Sequence, residues 1–216
     1  MWKHVIIDDF LTKEHFDYIN NAFESKVMTL VDENRLEIHS EDENAPHKIT
    51  KELVREMYDA YIPRLLEVLK ELAPEKVEQY NHARINFVVV PKDYMFPMHT
   101  DSENKLLSVV VYLKPEKNAG TILYENKDGA NPIRVKWKQN RAFIFSRTNE
   151  TWHAFHGDGI HPRYTLVISL THKKEFTGIK KITDLNQKEV EKRYKAIRPG
   201  EWEKRLQKTM SSLSSQ

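Results

Sequence analysis

The sequence predicts an α+β fold in which two helices come first and an antiparallel sandwich or jelly roll follows. Apolar residues recur at three- and four-residue spacing in the first 80 residues, which is typical of helices. From Ala83 onward short β-type runs alternate with turn signals, and closely spaced strands with short loops are typical of an antiparallel sandwich or jelly roll. The predicted strands are Ile85–Val90, Leu106–Leu113, Thr121–Tyr124, Ile133–Trp137, Ala142–Phe145 and Tyr164–Thr171.

Two helices are predicted before the strands. The first runs from Lys13 to about Phe23, with Thr12 as the N-cap that accepts a hydrogen bond from a free helical N–H group. The second runs from Lys51 to about Leu72, and Pro63 within it predicts a kink or a break, because proline has no N–H to donate. The acidic segment Asp32–Lys48 has no periodicity and is predicted to form a long loop, a candidate lid.

The composition predicts one domain with an appendage. The chain has 216 residues, 39% of them hydrophobic, which is enough to bury a core. Its net charge of +2 is too balanced to indicate general nucleic-acid binding, but residues 173–216 hold 12 basic and 6 acidic residues. We therefore predict a domain over residues 1–172, with helical support over 1–80 and a β core over 81–172. A basic helical extension over 173–216 would follow, which leaves a nucleic-acid partner open.

The sequence also restricts the type of metal site and the location. Cysteine is absent, which excludes disulfides and thiolate ligands, so any metal must be held by His, Asp, Glu or backbone. No run approaches the roughly 18 apolar residues of a membrane span. The acidic pair Asp8-Asp9 interrupts the opening apolar stretch where a signal peptide would continue. We predict a cytoplasmic protein with no membrane partner.

A histidine and a carboxylate lie two residues apart, at His99 and Asp101. On extended backbone such residues point to the same side, so both could reach one metal ion. A second histidine from a distant strand would complete a set of two histidines and one carboxylate, which suits non-haem Fe(II) and leaves coordination positions open. Three histidines compete for that role: His153, His156 and His161.

The order of these residues resembles the Fe(II)/2-oxoglutarate-dependent oxygenases, and among them the prolyl 4-hydroxylase-like branch. His153 follows His99 by 54 residues, and Arg163 follows His153 by ten. This spacing and the preceding Trp152 favour His153 over the other two histidines. Four further stretches are similar to that family: Val5–Thr12, Ser108–Leu113, Ala119–Tyr124 and Ala142–Phe145.

The resemblance implies a fold and a set of ligands. The fold would be a double-stranded β-helix (jelly roll) core with the N-terminal helices packed on one sheet. His99, Asp101 and His153 would bind iron, and these three residues are the predicted catalytic centre. Arg163 would pair with the distal carboxylate of 2-oxoglutarate, since its planar fork matches a carboxylate.

Further contacts to the cosubstrate are implied less directly. Thr165 matches the family's Arg-x-Ser pattern, and Tyr112 matches a strand tyrosine that contacts the same carboxylate, although a core tyrosine is an equal interpretation. Valines stand where many relatives have a tyrosine near the end of the upstream strand, which leaves Asn86 as a candidate substitute. Candidate substrate walls are Tyr94, Phe96, Trp152 and Phe155.

The activity implied by the resemblance is hydroxylation of a C–H bond in a protein side chain or a free amino acid. 2-Oxoglutarate would be decarboxylated to succinate, with O₂ as the oxidant and ascorbate as a candidate further cofactor. Three alternatives stay open: a cupin-like metal enzyme that does not use 2-oxoglutarate, a nucleic-acid-directed oxygenase that uses the basic tail, and a binding module that has lost catalysis.

Overall fold

The computed structural model describes residues 1–22, 36–39 and 51–172. The predicted C-terminal extension and most of the predicted lid therefore lie outside the described residues. The helices are α1 (Lys13–Ala22) and α2 (Lys51–Leu72), and a 3₁₀ helix, Pro74–Gln79, follows α2. The strands are β1 (Val5–Ile7), β2 (Leu36–His39), β3 (His82–Val90), β4 (Met95–His99), β5 (Lys105–Lys114), β6 (Ile122–Leu123), β7 (Ile133–Arg134), β8 (Ala142–Ser146), β9 (His153–His156) and β10 (Arg163–Thr171).

The described strands form two antiparallel sheets. The larger has the order β1-β8-β5-β10-β3-β2, and the smaller has the order β4-β9-β6-β7. Apart from the consecutive strands β6 and β7, neighbours in both sheets come from distant parts of the chain, as in a jelly-roll core. The predicted change from helices to an antiparallel β core is confirmed. No helix within the described ranges is long and apolar enough to cross a membrane.

Both helices pack on the large sheet. Successive side chains of a strand point to opposite faces, so each strand of this sheet has a helix-facing row and a row facing the other way. On β10 the helix-facing row includes Leu166 and Ile168, which share one apolar core with Leu65 and Leu69 of α2. The other row of β10 begins with Arg163, and this face of the sheet is the one that carries the candidate site.

The N-terminal helix begins as predicted. The Oγ1 of Thr12 accepts a hydrogen bond from the His15 backbone N–H at 3.3 Å, so Thr12 is the N-cap of α1.

Of the predicted kink or break at Pro63, the break is wrong, because α2 runs through this residue. Pro63 lies on the exposed side of the helix, whereas Met57, Tyr61 and Leu65 are buried against the core. The hydrogen bond that proline cannot make is thus lost on the solvent side. Tertiary packing of the apolar stripe supplies most of a helix's stability, so it maintains the helix despite this loss.

Four of the ten described strands were not predicted: β1, β2, β4 and β9. Strand β2 lies within the expected loop 32–48 and pairs with β3, so that part of the loop prediction is wrong. Four alternating residues inside an acidic stretch are too short a pattern to recognise without their partner strand. Strands β4 and β9 contain proline, histidine and aromatic residues rather than a β-branched run, yet they hold two of the predicted metal ligands.

Candidate metal centre

His99, Asp101 and His153 lie together, the two histidines on the small sheet and Asp101 in the loop after β4. Each offers a ligand atom, and these atoms all lie within 4.8 Å of one another. His99 ends β4 and His153 begins β9, where the two are cross-strand partners whose ring centroids are 4.3 Å apart. Asp101 follows two residues after β4. The distance between the ligand atoms matches the size of a site for one metal ion bound by two imidazoles and a carboxylate.

Both imidazole rings are fixed by backbone carbonyl groups. The Nδ1 of His99 lies 2.8 Å from the carbonyl oxygen of Pro97, and the Nδ1 of His153 lies 2.9 Å from that of Thr151. A carbonyl oxygen can only accept a hydrogen bond, so Nδ1 must carry the proton in both rings. The neutral ring then has an unprotonated Nε2, which is the form that binds a metal.

The protonation states of the triad favour metal binding. Burial, with the charge of His153 second, lowers the pKa of His99 to about 3, and burial also lowers the pKa of His153. Burial disfavours the charged form of Asp101, but Lys105, the two histidines and Ser108 together lower its pKa below the usual range. At neutral pH the site therefore presents two neutral imidazoles and one carboxylate.

Asp101 is held by three contacts, two from β5 and one from Arg147, the residue after β8. The Nζ of Lys105 lies 2.9 Å from Oδ1, and the Oγ of Ser108 donates to Oδ2 at 2.5 Å. The Nε of Arg147 donates to the Asp101 backbone carbonyl at 3.0 Å. The predicted ligand thus lies in a loop, but its carboxylate and its backbone are both anchored to the large sheet.

Arg163 begins β10 and lies 8% exposed among aromatic rings. Its guanidinium carbon is 3.8 Å from the ring centroid of Phe155, 5.3 Å from that of Tyr112 and 5.7 Å from that of Trp137. One guanidinium nitrogen, Nη2, lies 3.4 Å from the Oγ1 of Thr121. A fixed charge among apolar rings interacts strongly with an anion, because little water screens it there.

No protein-family model and no curated protein matches the sequence. Solved structures do match. A prolyl-4-hydroxylase from Pseudomonas putida has a TM-score of 0.57 at 13% identity, covering 79% of this chain and 93% of the other. This chain has the prolyl hydroxylase fold.

Two more solved structures match over similar lengths. A prolyl hydroxylase from Trichoplax adhaerens, in complex with a peptide from the hypoxia inducible factor oxygen degradation domain, has a TM-score of 0.55 at 16% identity, covering 78% and 83% of the chains. An oxidoreductase of the 2OG-Fe(II) oxygenase family from Burkholderia pseudomallei has a TM-score of 0.55 at 14% identity, covering 79% and 84%.

The prolyl hydroxylase fold brings the predicted cosubstrate residues to one face of the large sheet. Thr165 lies two residues after Arg163 on β10 and is directly opposite Tyr112 of β5. The Tyr112 hydroxyl donates to Thr121 Oγ1 at 2.9 Å and accepts the Thr121 backbone N–H at 3.0 Å. Tyr112 is fully buried and stacks on Trp137 with ring centroids 4.6 Å apart. Its hydroxyl therefore orients Thr121, which in turn contacts Arg163.

Asn86 does not lie at the end of β3, where many relatives have the tyrosine that this chain lacks. The residue opposite Arg163 on β3 is Val90, whereas Asn86 is opposite Val167. Four residues of strand separate Asn86 from Val90, or about 13 Å. Asn86 shares the face of the sheet that carries the candidate site, but it lies in the middle of β3, whereas Arg163 is opposite the end of that strand.

The two competing histidines do not join the triad. Among the described residues, the group that could hold a metal contains His153 and neither His156 nor His161. His156 lies three residues after His153 on β9, so the two side chains point to opposite faces of the strand. His161 is exposed in the turn before β10, with its Nδ1 3.4 Å from a carboxylate oxygen of Asp158.

The predicted substrate walls lie in two different places. The ring of Phe96 packs edge-on against His99 with centroids 4.2 Å apart, and Tyr94 stacks on Phe96 at 6.4 Å. Trp152 is half-buried immediately before His153. Phe155 is buried beneath Arg163, so it lies beside the predicted cosubstrate residues rather than at the metal.

Several residues at the site were not identified from the sequence. Lys105, Ser108 and Thr121 make the polar contacts, and Trp137 lies against Tyr112. Ser108 is the one hydroxyl residue in the otherwise apolar run Leu106–Val111, and this interruption is the signal that could have found it.

An aromatic cluster also reaches the triad from the N-terminal segment. The ring of Phe145 lies 5.0 Å from that of His153, and Trp2 packs on Phe145 with centroids 5.2 Å apart. The indole N–H of Trp2 donates to the Tyr124 carbonyl oxygen at 3.0 Å. The sequence did not indicate this contact, because 143 residues separate Trp2 from Phe145.

Proposed function

We propose that this protein is an Fe(II)- and 2-oxoglutarate-dependent dioxygenase that hydroxylates a C–H bond. The observation that carries the proposal is the triad of His99, Asp101 and His153, together with a buried arginine, Arg163, on the adjoining large sheet. Two neutral imidazoles and one ionised carboxylate are the donor set of non-haem Fe(II) oxygenases. The prolyl hydroxylase fold supports the same reaction class.

The triad would hold the iron, and its residues fit that role. Backbone carbonyls fix the Nδ1 proton of both histidines and leave each Nε2 unprotonated and able to bind a metal. Strand β5 anchors the carboxylate. Fe(II) with bound 2-oxoglutarate would supply the O₂-dependent oxidation that converts C–H to C–OH and 2-oxoglutarate to succinate and CO₂. The protein's part is to position the reactants and to limit the access of water.

Arg163 would bind the distal carboxylate of 2-oxoglutarate. Its guanidinium presents a permanent charge and a planar set of donors, and the surrounding aromatic rings exclude solvent from it. Thr165 lies two residues further along β10 on the same face, where its hydroxyl would add a hydrogen bond. Thr121, oriented by Tyr112, is a further candidate for this contact.

The substrate we propose is a side chain of a protein or a free amino acid. The peptide in the Trichoplax structure supports a protein substrate for a protein of this fold. Tyr94, Phe96 and Trp152 lie next to the triad in the chain and are the candidate contacts for that substrate. O₂ would be the oxidant, and ascorbate remains a candidate cofactor.

The test is anaerobic addition of Fe(II) and then 2-oxoglutarate to the purified protein. We expect a weak visible charge-transfer band, because the keto acid would chelate the iron through two oxygens, and we expect the band to be absent in His153→Ala. On admission of O₂, slow succinate formation should follow even without substrate.

Iron binding without a band on addition of 2-oxoglutarate would contradict the proposal. That result would favour a cupin-like metal enzyme that does not use 2-oxoglutarate. A failure of the wild-type protein to bind iron would instead favour a binding module with this fold.

A further inference from the structure

Asp101 differs from the two histidines in how it is held, because it lies in a loop rather than on a strand. The segment from Ser102 to Asn104 connects Asp101 to β5, and the backbone N–H of Lys105 donates to the Ser102 carbonyl oxygen at 3.1 Å. This turn places Lys105 and Ser108, in the first part of β5, next to the Asp101 carboxylate. The position of Asp101 is therefore set by side chains of the large sheet.

We infer that Ser108 and Lys105 are positioning residues that hold the Asp101 carboxylate in the orientation needed to bind a metal; this inference rests on the proposed function. Ser108 Oγ donates to Oδ2 at 2.5 Å, and Lys105 Nζ lies 2.9 Å from Oδ1. Each carboxylate oxygen thus has one donor, which fixes both the rotation and the tilt of the group. Neither residue is itself a ligand.

The surroundings make these contacts strong. The side chain of Asp101 is 12% exposed and that of Lys105 is 26% exposed, while Ser108 is 2% exposed. Charge-assisted hydrogen bonds of this kind are about twice as strong as neutral ones, and partial burial reduces their screening. A carboxylate held in place before the metal arrives loses little freedom on binding, which favours metal affinity.

The large sheet offers a matched control for Ser108. Ser169 of β10 is directly opposite Ser108, points to the same face and is 3% exposed. Asp101 accepts its side-chain hydrogen bonds from Lys105 and Ser108 and not from Ser169. A Ser→Ala change at position 169 thus removes a buried hydroxyl from the same row of the sheet without removing a donor to the carboxylate.

The experiment measures binding of Co(II), whose visible absorption bands report both occupancy and coordination geometry. We expect Ser108→Ala to raise the Kd for Co(II) roughly 10- to 100-fold, the range for loss of a contact that orients a ligand. We expect Ser108→Thr, which retains the hydroxyl, to restore most of the affinity. Ser169→Ala should leave the Kd and the band positions unchanged.

Lys105 gives a second, independent pair of variants on a partly exposed side chain. We expect Lys105→Met to raise the Kd at least roughly tenfold and Lys105→Arg to stay within about threefold of wild type. This pair decides the question if Ser108→Ala does not fold. The thermal midpoint of each metal-free variant distinguishes loss of the site from loss of the fold.

Two results would overturn the inference. One is a Kd for Ser108→Ala within twofold of wild type. The other is tighter Co(II) binding by Lys105→Met, which would show that the Lys105 charge repels the metal ion more than it helps to position Asp101. Failure of the proposed function looks different. In that case the wild-type protein would not bind Co(II), or His153→Ala would bind it equally well.

Discussion

His153 and His156 lie on one short strand but on opposite faces of it, and only the first belongs to the triad. We expect His153→Ala to abolish Fe(II) and Co(II) binding at micromolar metal, because two ligands hold a metal much less tightly than three. His156→Ala should bind both metals as the wild type does. Isothermal titration of the two variants side by side checks this, and equal loss of binding in both would contradict the assignment.

The shape of the Arg163 side chain should matter as much as its charge. We expect Arg163→Lys to weaken 2-oxoglutarate binding by at least about tenfold, because lysine keeps the charge but loses the planar fork that matches a carboxylate. The measurement is an anaerobic titration of the visible band with 2-oxoglutarate. Arg134→Lys is the control, since Arg134 is an exposed arginine on β7 that donates to the Gly120 carbonyl. An unchanged affinity in Arg163→Lys would argue against its role.

At this scale, the sequence allowed the three clustered residues and the buried arginine to be predicted. His99, Asp101, His153 and Arg163 stand at a recognisable spacing, and the structure brings the first three together. Their roles remain a proposal. The interruption of an apolar run marks Ser108 in the sequence but does not reveal its contact with Asp101. Thr121 could not be predicted, because its contacts with Tyr112 and Arg163 depend on which strands are neighbours and in what register.

At the scale of elements, Pro63 offers a test of what holds α2 together. Proline in a helix interior costs about 3 kcal/mol, while its rigidity in the unfolded chain returns up to about 1 kcal/mol. We therefore expect Pro63→Ala to raise the free energy of unfolding by about 2 kcal/mol, measured by urea denaturation. Glu67→Ala, at an exposed position one turn later, should change it by less than about 0.5 kcal/mol. A destabilised Pro63→Ala would show that the helix needs the proline for its shape.

The elements that could be predicted are those with a strong local pattern. Helices α1 and α2 and strands β3, β5, β8 and β10 have long apolar stripes or β-branched runs, and all six form close to the predicted bounds. Strands β2, β4 and β9 are four or five residues long and contain polar or bulky groups. Hydrogen bonding to a neighbouring strand stabilises them, so their own sequence gives little indication of them.

At the scale of the whole molecule, an ion pair joins the N-terminal segment to the turn before β8. Asp8 accepts hydrogen bonds from Arg141 at 2.6 and 3.0 Å and from Lys138 at 3.1 Å, and these two cations lower its pKa to about 2. A lowered pKa means that the pair stabilises the fold fully above about pH 4 and loses this contribution as the pH falls through about 2. Asp8 is 38% exposed, so we expect at most about 1 kcal/mol.

Urea denaturation of wild type and Asp8→Asn checks this pH dependence. The variant should be less stable by about 0.5–1 kcal/mol at pH 7, and the difference should shrink at pH 3. Repeating the comparison in an Arg141→Gln background isolates the pair, and the effect should then be small. A difference that stays constant between the two pH values would show that the ion pair is not its source.

The class of the whole fold was predictable, but the order of the strands was not. The change from helical to β periodicity near Ala83 indicates helices followed by antiparallel sheets. The positions of β1 and β2 at the two edges of the large sheet depend on long-range pairing, which the periodicity of a segment does not encode. The basic extension over 173–216 and the cytoplasmic location stay predictions.

The aromatic cluster beside the triad gives the protein an internal optical reporter. Trp2 packs on Phe145, and Phe145 packs on His153. Trp152 immediately precedes that histidine in the chain, and the ring centroid of Trp137 lies 5.7 Å from the guanidinium carbon of Arg163. A paramagnetic ion bound by the triad would quench the emission of the nearer indoles, and a bound dicarboxylate would shift that of Trp137. Intrinsic fluorescence could thus follow metal and cosubstrate binding without any added label, and Trp2→Phe would reveal how much of the signal comes from the N-terminal segment.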